Sequence, residues 1–280
     1  MATGQLAREF IDSSVERSLN DLLARLPSDR RPRPISIATI HVPNTPWADA
    51  TARWTKDILT PELYNHSRRS YFYAAALLDP ELAFFPQDVV NRAKGHGLEE
   101  NMWLTAMLHD ITLVKEVQDD LASQVSFNLQ GGIVAHEYLS DPQPNVTPKT
   151  KHWGTSSQNR ATPDVALSKY QVVESIVLHL DPMLHGRANL CARATHLGIM
   201  LDAVGGAPSD QIFRMWHPET IANGAKEWRR NLDPGSAAAL MEKELRNKPG
   251  CHSTTTVHMF PNLCELLENN PYFPKLEPNM

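Results

Sequence analysis

The chain has 280 residues, 41% hydrophobic and 21% charged, the balance of a soluble globular protein, which excludes wholesale disorder. Its formal net charge of -5 gives no electrostatic footing for nucleic acid, because a phosphate binder carries a basic face. No run approaches the roughly 20 apolar residues of a membrane span, and three scattered cysteines (Cys191, Cys251, Cys264) offer neither a disulfide framework nor a thiolate metal site. The N-terminal stretch lacks the apolar core of a secretory signal, so the expected compartment is the cytosol. The glycosylation triplets at Asn65 and Asn145 are then chance matches.

In chain order, residues 5–25 read as an amphipathic helix, followed by a polar, Pro-containing passage and a strand-like or extended segment from Ile35 to Val42. Thr60-Pro61-Glu62 opens a helix with Thr as cap and Pro at the first helical position. That helix runs to about Leu78. Further helices are predicted over Pro86–Lys94, Leu98–Asp110, Gln124–Leu139, Val165–Leu180 and Arg187–Val204, the last stopped by Gly205-Gly206. Between Ser140 and Pro163 lies a polar stretch of the kind that forms a lid or a disordered excursion. The C-terminal third is again mainly helical, with Ala237–Leu245 its clearest piece. Periodicity near 3.6 almost throughout makes the fold class all-α and excludes a doubly wound sheet.

Several of these helices carry His or Asp on an apolar face. His66 shares a stripe with Leu63, Ser70, Tyr73 and Leu77. His109 follows Met102 and Ala106, with Asp110 adjacent. His179 follows Val172 and Ile176, and Asp202 ends a small, polar face with Cys191, Thr195 and Gly198. One such His is ordinarily a hydrogen-bonded core residue. Buried carboxylates are harder to place, because each needs a partner or a metal. With no Lys or Arg expected on the same faces, a divalent cation compensates the charge, and mixed imidazole and carboxylate ligation suits Zn, Fe or Mn.

The ordered segments LYNHSRRSYFYA (63–74), MLHDI (107–111), SFNLQGGIVAHEYL (126–139), ESIVLHLD (174–181) and LGIMLDAVGG (197–206) resemble the HD-domain superfamily, and within it fungal proteins of the cyanamide hydratase type. The resemblance implies an HD-type helical bundle with extra N- and C-terminal helices. The resembling segments span about 60 to 206, so the chain divides into a lead-in (1–45), a metal-binding core (46–206) and a C-terminal extension (207–280); the extension matches no known pattern and is expected to cap the pocket, build a homo-oligomer interface, or both. The resemblance also implies a metal held by His66, His109, Asp110 and Asp202, and a metal-activated water added to a carbon–nitrogen multiple bond, giving urea from cyanamide.

Two departures from the family pattern stand out. Asn128 occupies a position where an acidic residue is expected, which leaves it to orient substrate and not to move protons. His136 stands where an apolar residue is expected, and on a helix it shares a face with Asn128 and Gly132. Counting His136 and His179 as ligands makes the set resemble binuclear HD proteins, with Asp110 bridging two ions. The leading expectation is therefore a Zn-dependent hydratase or hydrolase of a small molecule, with His179, Asn128 and His136 around the substrate. A di-iron oxygenase or a phosphohydrolase using Arg68 or Arg69 is the rival enzyme, and a ligand-binding helical protein the rival outside catalysis.

Overall fold

The computed structural model describes residues 13–114, 125–140, 163–205, 210–230 and 236–270. Within these, twelve α-helices and one two-stranded ribbon are present: β1 (Ser14–Glu16), α1 (Leu19–Ala24), α2 (Pro46–Ile58), α3 (Pro61–Ala76), α4 (Gln87–Gly95), α5 (Leu98–Leu108), α6 (Phe127–Tyr138), α7 (Pro163–Leu178), β2 (Arg187–Asn189), α8 (Leu190–Val204), α9 (Pro218–Glu227), α10 (Ala237–Asn247), α11 (Thr254–Met259) and α12 (Leu263–Glu268). The all-α expectation holds. Among the described residues no helix is long and apolar enough to cross a membrane. The polar stretch predicted between Ser140 and Pro163, with its His152 and Trp153, lies outside the described residues.

The helix starts follow their capping chemistry. Thr60 Oγ1 accepts from the Leu63 amide with Pro61 in the first turn of α3, and Thr45 and Pro46 repeat the device at α2. Asn189 Oδ1 accepts from the Ala192 amide to open α8, which stops at Gly205 in the left-handed region (φ 80°).

The helix predicted over residues 5–25 is corrected over its described part. Residues 14–16 form β1, paired antiparallel with β2 in the register Ser14↔Asn189 and Glu16↔Arg187, and only Leu19–Ala24 is helical. Arg187 locks the ribbon by donating from Nη2 to the Ser14 carbonyl (2.6 Å) and from Nη1 to Glu16 (2.9 Å). The 35–42 segment is a short 3₁₀ turn at Ile37–Thr39 and not a strand.

The centre of the bundle is α3 against α8, flanked by α5 and α7, with α6 packed on α7. Glycine sets the closest approach. A Cβ at Gly198 would stand 2.3 Å from the Ser70 carbonyl oxygen and 2.8 Å from the Ala74 amide, so α8 lies directly on the α3 backbone. The small face that the sequence shows on α8 is thus a helix-packing surface, and it brings Asp202 beside α3.

Candidate metal centre

Three helices, α3, α5 and α7, deliver polar residues to one point. His66 comes from the middle of α3. His109 is the C-cap of α5, held by its amide to the Thr105 carbonyl, and Asp110 follows where the chain leaves the helix. His179 lies just past α7. His109 is fully buried, and His66, Asp110 and His179 are buried to within a few per cent.

His66 Nε2 is 3.1 Å from His109 Nε2 and 3.7 Å from Asp110 Oδ2, and His109 Nε2 is 3.3 Å from the same oxygen. Donors bound at about 2.0–2.2 Å in tetrahedral or octahedral geometry stand about 2.8–3.6 Å apart, so this triangle, with sides of 3.1, 3.3 and 3.7 Å, is close to the size that holds a metal ion. The chemistry of the donor atoms agrees. His109 Nδ1 donates to the Ala106 carbonyl (2.8 Å) and His66 Nδ1 to Asp202 Oδ2 (2.5 Å). Both Nε2 atoms are thereby left as lone pairs facing each other and a carboxylate oxygen, an arrangement that calls for positive charge between them.

The same demand appears in the titration behaviour. Burial alone would lower the His109 pKa, yet the adjacent Asp110 carboxylate raises it. Burial alone would raise Asp110, yet His109, then His66 and His179, draw it below the usual carboxylate range. Burial, with His109 beside it, pushes His179 down to about 3, so its ring is neutral at physiological pH.

The fourth expected ligand stands differently. Asp202 lies behind His66: its Oδ1 accepts from Arg69 Nε (2.6 Å), and its Oδ2 from Arg69 Nη2 (2.9 Å) and His66 Nδ1. Burial would raise its pKa, but Arg69 and His66 bring it below the carboxylate range. The expectation that no Arg shares these faces is therefore corrected. Arg69 is fully buried, and its guanidinium also reaches the Trp228 carbonyl (2.5 Å). Asp202 is already neutralised by Arg69, whereas among the described residues the side-chain partners of the Asp110 carboxylate are histidines. Arg68, one residue earlier, lies between the Trp103 and Trp228 rings, 5.2 Å from each centroid.

His179 and Asn128 divide as well. His179 Nδ1 donates to the Ile176 carbonyl (2.6 Å), and its Nε2 faces Asp110 Oδ1 at 4.0 Å. Asn128 is fully buried, but its amide donates to the Val177 carbonyl (2.8 Å) and meets His252 Nδ1 (3.2 Å), and it is not among the residues that line the cavity. His136 is not brought to the cluster. It is half-buried against Tyr170, ring centroids 6.0 Å apart, with burial and Lys169 lowering its pKa. Gly132 on the same helix seats α6 on α7: a Cβ there would stand 2.6 Å from Val177 Cγ2.

The triangle opens into a cavity of about 40 Å³ with apolar walls from Leu113, Phe127, Leu180, Ile199, Met241 and Leu263. That volume takes a molecule of a few heavy atoms, since one water needs about 10–15 Å³ on the same measure. Two contributors were not singled out in the sequence. Thr256 lines the cavity with a buried hydroxyl that has no partner among the described residues. Glu244, fully buried and ion-paired with Lys248 at 2.9 Å, accepts from the Phe127 amide (2.9 Å) and fixes the start of α6. A threonine and a glutamate in helical sequence carry no periodic signal that separates them from surface residues.

No family model matches the chain. Over 231 residues, 82% of this chain and 85% of each relative, it is 23% identical to two proteins of Saccharomyces cerevisiae, cyanamide hydratase DDI2 and cyanamide hydratase DDI3. The chain is thus similar to cyanamide hydratases over most of its length.

Proposed function

We propose that this protein is a cytosolic, HD-type, metal-dependent hydratase that adds water across a carbon–nitrogen multiple bond of a very small neutral substrate, with cyanamide the first compound to test. The observation that carries this reading is the His66–His109–Asp110 triangle opening into a cavity of about 40 Å³. The similarity to cyanamide hydratases supports the substrate class.

His66, His109 and Asp110 hold the ion, zinc in the leading assignment, and Asp202 with Arg69 fixes the ring of His66. When bound, such an ion supplies a Lewis acid and brings the pKa of a water close to neutrality. The chain supplies the remainder. The apolar walls exclude bulk water and strengthen every polar contact inside. Neutral His179, its Nε2 lone pair turned toward Asp110, accepts a hydrogen bond from a substrate N–H. The Thr256 hydroxyl donates to a substrate nitrogen.

A binuclear centre is the second reading, because Asp110 turns Oδ2 to the His66–His109 pair and Oδ1 to His179. His136 contributes no ligand to it, and Arg69, engaged by Asp202, is not free to bind a phosphate. Metal analysis of freshly purified protein, with urea release from cyanamide, tests both. One equivalent of zinc with urea formation is the expected result. Two equivalents of iron would establish the binuclear centre, and metal-free, inactive protein would leave a ligand-binding role.

A further inference from the structure

A second cavity, of about 230 Å³, shares Met200 with the metal cavity but holds none of the His66–His109–Asp110 cluster. Its walls are mostly apolar, with Met183, Met215, Trp216 and Phe260 prominent. Arg193 of α8 reaches it although only 2% of the residue is exposed. Among the described residues the Arg193 guanidinium makes one hydrogen bond, from Nη1 to His196 Nδ1 at 2.9 Å, and its buried Nε has no partner. His196 is set for this contact, since its Nε2 donates to the Asp181 carbonyl (3.0 Å) and leaves Nδ1 as the acceptor. The carboxylate in the same wall, Asp181, is already engaged by Arg17 (2.6 Å) and by the Met183 amide (2.7 Å).

A buried cation without an anion is costly, and structural arginines in protein interiors are paired. Arg69, also on a buried face of this bundle, shows the paired case with Asp202. Burial and the neighbouring Arg17 push Arg193 down to about 9, which still leaves it charged at neutral pH. Arg17 and Asp181 cancel each other, so among the described residues the cavity presents one uncompensated positive charge, which suits a monoanion over a phosphate dianion. A guanidinium fork matches a carboxylate in two parallel hydrogen bonds, and thioether and indole walls accept an alkyl chain. The volume is below the roughly 300–1,000 Å³ of pockets for drug-sized ligands, so the chain is short.

We propose that this cavity is a second ligand site, for a short-chain aliphatic monocarboxylate whose carboxylate pairs with Arg193 and whose tail lies against Met183, Met215 and Trp216. The site is separate from the metal centre and does not depend on the hydratase reading.

Hexanoate, with hexanamide as its uncharged counterpart, is titrated calorimetrically into the full-length, metal-loaded protein. Saturable 1:1 binding of hexanoate, at least about tenfold tighter than hexanamide, is expected from a charge-assisted pair. R193M is expected to lose at least about tenfold of that affinity. R193K keeps the charge without the fork, is the milder change for folding, and is expected to weaken binding as well. H109A, which disables the metal cluster, is expected to bind hexanoate like the parent. Equal binding of acid and amide, no binding of either, or unchanged affinity in R193K would overturn the proposal. So would loss of binding in H109A, which would place the acid on the metal.

Discussion

Asp202 binds two partners with one carboxylate: His66 Nδ1 at 2.5 Å on the side of the metal triangle, and Arg69 Nε and Nη2 at 2.6 and 2.9 Å on the other. The aspartate therefore joins the electrostatics of the core to the orientation of the His66 ring. Neither partner touches it through solvent, because Arg69 and Asp202 are both fully buried.

Replacing Asp202 with Asn should act in two places. It leaves Arg69 buried without its anion, a loss of about 3–5 kcal/mol of stability. It also frees the His66 ring, which should weaken metal binding about 10- to 100-fold. R69M removes the cation and leaves Asp202 with His66 alone, so it should cost stability with a smaller effect on metal affinity. Urea unfolding and zinc titration of both variants separate the two effects. Equal zinc affinity in D202N and the parent would remove Asp202 from any role at the centre.

Chelation provides an independent check. An ion that binds only the folded chain stabilises it by about 4 kcal/mol at a thousandfold excess over Kd. EDTA should therefore lower the melting temperature of the parent. H109A, having lost a triangle donor, should melt at one temperature with or without EDTA and form no urea from cyanamide. A persistent EDTA shift in H109A would move the metal to other residues.

Acid stability should report on His196. Burial, with Arg193 beside it, holds this imidazole well below its ordinary range. The unfolded chain takes up a proton below about pH 6.5 while the folded chain does not, so stability is present above that pH and is lost as pH falls. The slope for one such group approaches about 1.4 kcal/mol per pH unit. H196Q removes it, so the difference in unfolding free energy between parent and variant should shrink or reverse from pH 7.5 to 5.5. A constant difference across that range would mean that His196 titrates normally.

Much of this centre was legible in the sequence. His66, His109 and His179 were readable because each interrupts an apolar helix stripe, and Asp110 because it stands beside one of them. Asp202 was found for the right face, but its role depends on Arg69. Arg68 and Arg69 are neighbours in sequence, about 100° apart around the helix. Only the packed structure tells which enters the core and which lies between two indoles. His136 is separated from Asn128 by helix geometry: eight residues are about 12 Å along the axis and about 80° around it, and His136 packs against Tyr170. The strand at Ser14–Glu16 depends on a partner some 170 residues away, where local periodicity carries no information.

Gly198 should tolerate no side chain. In G198A the new Cβ meets backbone atoms of α3 and not the flexible end of a side chain. A loss of about 1–3 kcal/mol is expected from overpacking. Because α8 carries Asp202 and α3 carries His66, zinc affinity should fall with it. A G198A protein with parental melting temperature and zinc affinity would show that the two helices can part without disturbing the site.

The walls of the metal cavity also have a consequence for how the protein comes into being. The ligand triangle is complete once residues 66 to 110 are packed, but Met241, Thr256 and Leu263 close the cavity from much later in the chain. During synthesis, a nascent chain that has emerged only as far as α8 already contains His66, His109 and Asp110, while the cavity beside them still lacks these walls. The helices α10, α11 and α12, made after α8, supply those walls through Met241, Thr256 and Leu263, so the cavity beside the triangle takes shape only once they have packed.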